Sequence, residues 1–185
     1  IRAGKTNSII ADMIDTCEKF NDVIVAYITF TRHSAKRIIW PDLKRVLQDF
    51  KIPCEINEAD LTVKFTKTRS EIRLGGAKDE SEIEKYRGWK LKKAYVDEAQ
   101  MFRPYLKYFI EDILMGRLRD LRGQLIVTGT PGPILAGTFF DICHNPKWSN
   151  HHWTAFENPH MIDLEKTLQE ERDLKGISEN DPGYI

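Results

Sequence analysis

The hydrophobic positions of this chain repeat with two periods, one typical of helices and one typical of buried strands. Apolar residues at the spacing of one helix face predict helices over residues 7–20, 35–50, 105–115, 135–143 and 162–175. Short apolar runs predict strands over residues 23–30, 94–96, 125–128 and 152–156, and a hairpin of 61–66 with 71–74. Strands that alternate with helices predict an α/β fold with helices on the faces of the sheet.

The composition is that of a globular domain and excludes several classes of protein. With 185 residues, 41% of them hydrophobic and 30% charged, the chain can form one sizeable core. No apolar run approaches the roughly 20 residues of a membrane-spanning helix, and the first residues do not resemble a signal peptide. The cysteines Cys17, Cys54 and Cys143 lie far apart without CxxC spacing, which argues against a disulfide framework or a zinc site.

The formal net charge is zero, so composition alone does not indicate a nucleic-acid-binding protein. Basic residues nevertheless cluster in three segments: residues 64–73, 85–93 and 117–122. These basic segments could form either a solvated charged face or a contact with DNA.

Gly4-Lys5-Thr6 stands directly before the first predicted helix. It matches the end of a phosphate loop, G-x-x-x-x-G-K-[ST]. In such a loop the backbone amides and the helix N-terminus bind phosphate oxygens, the lysine reaches the β- and γ-phosphates, and the hydroxyl binds Mg²⁺. The tripeptide by itself is a weak signal, and its position before an amphipathic helix strengthens it.

Two acidic residues, Asp97 and Glu98, follow an apolar strand. Nucleotide sites of open α/β sheets lie at the carboxyl ends of the strands. There Asp97 is suited to holding Mg²⁺ through water, and Glu98 to polarising an attacking water as general base. The alternative is an ordinary strand that ends in solvated acids.

Two further strands end in small polar residues. Thr128-Gly129-Thr130-Pro131 lies at the end of the strand predicted over 125–128. Next to the strand that ends in Asp97, such a loop can sense the γ-phosphate and transmit the loss of that phosphate to neighbouring loops. The segment from Thr29 to Arg37 follows the strand over 23–30. Its polar and basic residues suit a phosphate backbone, whereas Thr31 or Ser34 would equally suit a helix N-cap.

Taken in chain order, these motifs resemble the large terminase subunit of tailed bacteriophages. Gly4-Lys5-Thr6 is similar to the end of its Walker A motif, Val96-Asp97-Glu98-Ala99 to its Walker B motif, and Thr128-Gly129-Thr130-Pro131 to its coupling motif. Shorter segments also resemble that family: residues 26–28 with 32–40, 75–76 with 86–88, 157–159 and 181–184. The resemblance covers nearly the whole chain, and its specificity lies in the ordered set of motifs.

The resemblance implies a P-loop NTPase of the RecA-like, additional-strand class, with a mainly parallel central sheet flanked by helices. It implies an ATP-hydrolysing motor that drives double-stranded DNA into a procapsid. Such a motor works in the host cell cytoplasm as a homo-oligomeric ring, transiently at the procapsid portal vertex, with the portal protein and the small terminase subunit as partners. The resemblance implies no membrane partner.

The resemblance also implies a role for individual residues. ATP binding falls to Arg2, Ala3, Gly4, Lys5, Thr6 and Asp97; Mg²⁺ to Thr6 and Asp97; catalysis to Glu98; and coupling to Thr128, Gly129 and Thr130. Motors of this kind use an arginine finger, for which Arg87, acting on a neighbouring subunit, is the candidate and Arg2 the competitor in cis. A structural salt bridge is an equal alternative for each arginine.

Under the resemblance, residues 1–185 are a single ATPase domain that begins inside the phosphate loop. Residues 176–185 would start a linker to a C-terminal nuclease domain. We expect the chain as given to bind ATP weakly and to hydrolyse it negligibly.

Two alternatives remain open. Asp97-Glu98-Ala99-Gln100 also resembles a helicase motif, although Thr-Gly-Thr-Pro is unlike the third helicase motif and no second helicase lobe follows. The other alternative is an inactive, prophage-derived remnant of the terminase ATPase.

Overall fold

A computed structural model of the chain describes residues 4–130, 136–152 and 164–176. These residues belong to two units. The larger unit, Thr6–Asn150, contains the entire described sheet. The described part of the smaller unit comprises residues 4–5, 151–152 and 164–176.

Six strands form one mixed sheet in the order β2-β3-β4-β1-β5-β6. Their bounds are β1 Ile24–Thr29, β2 Cys54–Asn57, β3 Thr62–Phe65, β4 Glu71–Gly76, β5 Leu91–Val96 and β6 Gln124–Val127. β4, β1, β5 and β6 run parallel, whereas β2 and β3 pair antiparallel at one edge. The prediction of an α/β fold with a mainly parallel sheet is therefore confirmed.

The helices of the larger unit cover both faces of this sheet. They are α1 Lys5–Lys19, α2 Arg32–Ile38, α3 Trp40–Asp49, α4 Glu80–Glu84, α5 Tyr105–Tyr108, α6 Met115–Arg119 and α7 Thr138–His144. A π-helical segment, Phe109–Leu114, joins α5 directly to α6. The smaller unit contributes α8, Leu164–Lys175.

Alternate residues of the central strand β1 enter two different cores. Val25 and Tyr27 pack into one core with α1, α2 and α3, whereas Ala26 and Ile28 pack into the other with the helices that follow β4 and β5. Successive side chains of a strand point to opposite faces, so a strand covered on both sides is apolar throughout. This explains the continuous apolar run from residue 23 to residue 30.

The helix predicted over residues 35–50 is two helices, and the prediction of one is wrong. α2 ends at Ile38 and α3 begins at Trp40, with Ile39 between them at φ −117°. Pro41 occupies the first turn of α3. A proline has no N–H to donate and its ring clashes with the preceding turn, so the chain starts a new helix there instead of continuing α2.

Strand β2 and helix α4 were not predicted from the sequence, and the ends of other elements were predicted to within a few residues. Strand β2 has an exposed, mostly polar pattern, and α4 is only five residues long, so neither shows a clear period. The helix predicted to end at residue 115 continues to Arg119. The strand expected over residues 152–156 lies, beyond His152, outside the described residues.

No helix among the described residues is long and apolar enough to cross a membrane.

Candidate active site

The carboxyl ends of four parallel strands meet at one edge of the sheet. Thr29 of β1 lies opposite Gly76 of β4, and Val96 of β5 lies opposite both Ile28 and Val127. Asp97 and Thr128 follow β5 and β6 directly. The register of the sheet thus brings together polar residues that are 30 to 70 positions apart in the chain.

Asp97 is buried, with 5% of its surface exposed, and its carboxylate accepts three hydrogen bonds. Oδ2 accepts the Tyr27 hydroxyl at 2.5 Å, and Oδ1 accepts the Thr128 hydroxyl at 2.6 Å and the Glu98 backbone N–H at 3.0 Å. Its own N–H donates to the carbonyl of Ile28 at 2.8 Å. A buried carboxylate is tolerated where such donors replace water, and here they also determine its orientation.

Tyr27 is a site residue that the sequence analysis did not identify. It is fully buried in β1, and burial together with the neighbouring Asp97 carboxylate raises the pKa of its hydroxyl. The hydroxyl therefore stays protonated and donates. A signal was available in the sequence, since a tyrosine inside a buried apolar strand needs a partner for its hydroxyl. The sequence did not indicate which partner.

Glu98 leaves the strand in a left-handed conformation, with φ 53° and ψ 45°. A positive φ is uncommon for a non-glycine residue. Six other described non-glycine residues also have one, so at Glu98 it shows a sharp turn of the chain and does not by itself mark a site. The following turn, Ala99–Met101, carries Gln100, whose Nε2 donates to the Glu98 carboxylate. Glu98 is half-buried beside Asp97.

The loop after β6 contacts Asp97 directly and Glu98 through Gln100. Thr128 donates its hydroxyl to Asp97, its N–H to the carbonyl of Val96, and its carbonyl accepts the N–H of Ala99. The N–H of Thr130 donates to Oε1 of Gln100 at 3.3 Å. The structure therefore brings the predicted second and third motifs into direct contact.

The predicted phosphate-loop residues are only partly described. Gly4 has a φ of +78°, and α1 begins at Lys5 with Thr6 in its first turn. Arg2 and Ala3 lie outside the described residues.

α1 is tied to β5 by polar contacts as well as by the core. Asp12 accepts hydrogen bonds from Lys93 at 2.6 Å and from the hydroxyl of Tyr95. Burial favours the neutral acid, but these two donors outweigh it and hold the pKa of Asp12 below its usual value. The helix that starts at the phosphate-loop motif is thus anchored to the strand that ends at Asp97.

Arg87 lies on the surface in a turn of Lys85–Gly88. Its guanidinium pairs with Glu84 and donates to the hydroxyl of Tyr108 at 3.0 Å, and its carbonyl accepts from Arg117 at 2.8 Å. The salt bridge that the sequence analysis kept open for Arg87 is present. An action on a neighbouring subunit stays a prediction.

The turn after β1 caps the helix that follows it, which is one of the two roles left open for this segment. Thr31 is the N-cap of α2, and its side chain accepts the N–H of Ser34 at 3.1 Å. The buried Thr29 donates its hydroxyl to the carbonyl of Thr31 at 2.7 Å. This segment therefore has a clear structural function.

Basic residues from each of the three clusters are engaged within the protein. Ion pairs join Arg69 to Asp22, Arg73 to Glu71, Arg87 to Glu84 and Lys93 to Asp12. Lys92 and Arg117 donate to backbone carbonyls. These contacts account for much of the clustering without a nucleic acid.

Metal-binding side chains do not cluster within the described residues. No group of three or more His, Cys, Asp or Glu side chains there could hold a metal ion. The three cysteines are free, and burial raises the pKa of the Cys17 thiol to about 12.

Comparison with known proteins gives matches among solved structures. No family model and no curated protein matches the chain. A large terminase from a thermophilic bacteriophage superposes with a TM-score of 0.74 at 22% identity, over 93% of this chain and 42% of that one. The same terminase in complex with ATP-gamma-S gives a TM-score of 0.69 at 19% identity, over 93% and 41%.

Two other phage proteins share the architecture. The large terminase of bacteriophage HK97 matches with a TM-score of 0.66 at 16% identity, over 97% of this chain and 39% of that one. The Thermus phage P74-26 large terminase ATPase domain matches with a TM-score of 0.56 at 16% identity, over 75% and 59%. The chain has the fold of a large terminase ATPase domain. It spans about two fifths of the length of the HK97 terminase and of the terminase from the thermophilic bacteriophage.

Proposed function

We propose that this chain is the ATP-hydrolysing motor domain of a viral DNA-packaging terminase. The observation that carries the proposal is the Asp97 carboxylate, buried at the carboxyl end of β5 and oriented by Tyr27, Thr128 and the Glu98 N–H. Directly beside it, the left-handed turn at Glu98 carries a second carboxylate, which accepts a hydrogen bond from Gln100. A fold shared with terminases, one of them in complex with ATP-gamma-S, supports nucleotide as the ligand.

Glu98 is the proposed general base. A carboxylate at this position can accept a proton from water as the water attacks the γ-phosphoryl group. The left-handed backbone at Glu98 turns the chain sharply after β5, and its carboxylate accepts from Gln100, which is not a donor to Asp97.

The residues present fit a magnesium ion. Mg²⁺ keeps several waters and takes one or two carboxylates together with phosphate oxygens, so it does not need the protein cluster that the described residues lack. Asp97 Oδ2 accepts one hydrogen bond from Tyr27, and a carboxylate oxygen can accept two, which leaves it able to accept from a metal-bound water. Thr6 would supply the hydroxyl ligand. Bound there, the ion would neutralise charge on the phosphates.

Lys5 would contact the β- and γ-phosphates, and the backbone of Arg2, Ala3 and Gly4 would complete the phosphate cradle. The start of α1 adds the positive end of a helix dipole, which favours an anion. Arg87 is proposed as the arginine finger toward a neighbouring subunit, which would require it to leave Glu84.

Thr128, Gly129 and Thr130 are proposed to couple hydrolysis to movement. Thr128 donates a hydrogen bond to Asp97, and Thr130 donates one to Gln100, which in turn donates to Glu98. Double-stranded DNA, the portal protein and the small terminase subunit would be the partners of a ring of such domains. The site of action would be the host cytoplasm and, transiently, the procapsid portal vertex. Residues 1–185 would form one ATPase domain, with residues 176–185 leading toward a nuclease domain.

The proposal is tested by ATP hydrolysis in the full-length protein. Glu98→Gln should lower kcat by at least a hundredfold and keep ATP binding, because the amide cannot take a proton. The matched control is Glu111→Gln, an exposed acid in the π-helical segment, which should keep normal turnover. Phosphate release and nucleotide binding are measured for all three proteins.

Equal turnover in wild type and Glu98→Gln would remove Glu98 from the mechanism. Absence of ATP binding and turnover in the wild type would contradict the motor proposal itself. Stimulation of turnover by double-stranded DNA without strand separation is expected of a packaging motor, whereas strand separation would favour a helicase.

A further inference from the structure

The side-chain amide of Gln100 bridges two motifs that are far apart in the sequence. Its Nε2 donates to Oε2 of Glu98, and its Oε1 accepts the backbone N–H of Thr130 at 3.3 Å. Gln100 is half-buried in the turn that follows β5. One planar group therefore joins the proposed base to the loop after β6.

The orientation of this amide is determined by its partners. A carboxylate oxygen can only accept a hydrogen bond when ionised, and a backbone N–H can only donate one. The reversed amide would set oxygen against the Glu98 carboxylate and an NH₂ group against the N–H of Thr130. Only one orientation makes both bonds, so the amide cannot satisfy one partner by flipping without losing the other.

The loop also approaches Gln100 closely. A Cβ added to Gly129 would lie 2.5 Å from Oε1 of Gln100 and 2.7 Å from Cζ of Phe139. Real Cβ atoms do not approach so near, and hence any residue with a side chain at 129 would displace Gln100 or the loop. The glycine therefore permits the contact between the loop backbone and the amide.

We propose that Gln100 is a positioning residue that joins the Glu98 carboxylate to the loop 128–130, so that a displacement of the loop moves the carboxylate. The inference rests on the proposed function, in which Glu98 is the base and this loop responds to the nucleotide. Gln100 itself does not contact the reacting atoms in this scheme. It restricts the side-chain rotamers of Glu98 through one carboxylate oxygen and leaves the other to accept the proton.

The link is tested first without nucleotide, by amide hydrogen exchange at Thr130 in the chain itself. Gln100→Leu removes both hydrogen bonds and should accelerate exchange at Thr130 about tenfold. Gln100→Asn, too short to reach both partners, should act in the same direction and guards against a leucine that perturbs folding. Gln48→Leu, an exposed glutamine of α3, is the matched control and should leave this exchange rate unchanged.

A double-mutant cycle then tests whether Glu98 and Thr130 communicate through Gln100. Glu98→Ala alone should accelerate exchange at Thr130 severalfold, because Gln100 loses the partner that holds it. The same substitution in the Gln100→Leu background should add nothing. Additive effects, or unchanged exchange at Thr130 in Gln100→Leu and Gln100→Asn, would overturn the link.

The functional consequence is measured as turnover in the full-length protein. Gln100→Leu should lower kcat about tenfold and leave KM for ATP unchanged, because positioning the base matters in the transition state and not for nucleotide binding. An unchanged kcat, or a change in KM alone, would overturn the positioning role. Failure of the wild type to hydrolyse ATP would instead contradict the proposed function, and the exchange cycle would still decide the link.

Discussion

At the scale of single residues, the site depends on one buried carboxylate and on the neutral donors around it. Asp97 receives two hydroxyls and one backbone N–H and makes none of the ion pairs described in the structure. These neutral donors orient the Asp97 carboxylate without neutralising its negative charge, so the carboxylate can still attract a cation. A lysine or arginine partner would remove that attraction.

The first prediction at this scale concerns Tyr27→Phe. The variant keeps the buried ring and removes the hydroxyl that donates to Asp97, so we expect the free energy of unfolding to fall by about 1.5–3 kcal/mol, the value of a hydrogen bond to a charged group. Urea denaturation at pH 7 measures this change.

The control is Tyr105→Phe, which removes a hydroxyl from a half-buried ring at the start of α5. Its unfolding free energy should change by less than about 0.5 kcal/mol. Equal losses in the two variants would mean that the Asp97 contact contributes nothing specific to stability.

At the scale of secondary-structure elements, close approaches between strand ends and turns position the site. Gly76 ends β4 beside the start of α2, where an added Cβ would lie 2.3 Å from the backbone nitrogen of Arg32. Tyr86 donates to the carbonyl of Gly76 at 2.9 Å on the other side. A side chain at 76 would therefore push α2 away from the carboxyl edge of the sheet.

Substitution of Gly76 by alanine should accordingly destabilise the protein by about 2 kcal/mol or more, because backbone atoms must move to admit the Cβ. Gly116→Ala is the matched control: it lies in α6 with open space around the added Cβ. Alanine there should stabilise the helix by up to about 1 kcal/mol. Thermal unfolding of the two variants should give shifts of opposite sign, and a neutral Gly76→Ala would refute the close packing of β4 on α2.

At the scale of the whole molecule, the larger unit has helical layers on both faces of a sheet whose central strands contribute to both cores. The α1 side carries the phosphate-loop motif, and the sheet carries Asp97 and Glu98. The polar anchor that joins the two consists of Asp12 on α1 and Lys93 and Tyr95 on β5. The Lys93 side chain is only 14% exposed, so its ammonium depends on Asp12 for compensation.

Asp12→Asn should therefore lower the free energy of unfolding by about 1–2 kcal/mol at pH 7, less than the loss for a fully buried pair because Asp12 is 41% exposed. The folded state lowers the pKa of Asp12 below 3.8. Its stabilising effect is present above that pH and is lost as the pH falls through the folded-state value. The difference between wild type and variant should accordingly vanish in acid, as measured by urea denaturation from pH 7 to pH 2.

The control is Asp15→Asn, on the exposed side of the same helix, where Asp15 pairs with Lys19 and both side chains are more than half exposed. Surface pairs of this kind contribute little, so a change below about 0.5 kcal/mol is expected. A loss in Asp12→Asn no larger than in this control would show that the anchor does not stabilise the fold.

Local patterns in the sequence were sufficient for the succession of strands and helices and for the chemistry at the strand ends. The alternation of apolar runs with helical periods predicted the α/β fold, because both signals depend on neighbouring residues alone. Asp97, Glu98 and Thr128 could be singled out in the same way, since Asp97 and Thr128 directly follow apolar strands and Glu98 is the next residue. The exposed strand β2 and the break at Ile39 were not predicted, because an exposed edge strand carries little hydrophobic period and a single proline permits either a kink or a helix start.

Only the tertiary structure decided which of these groups meet. Tyr27 and Asp97 are 70 positions apart, and Gln100 and Thr130 are 30 apart; strand order and register bring them within hydrogen-bonding distance. Register is fixed by which face of each strand is buried against the helices, and strand order by the connections between strands that are distant in the sequence. The sequence by itself therefore determined which chemical groups stand at the ends of the strands, and the packed sheet determined the partners that orient them.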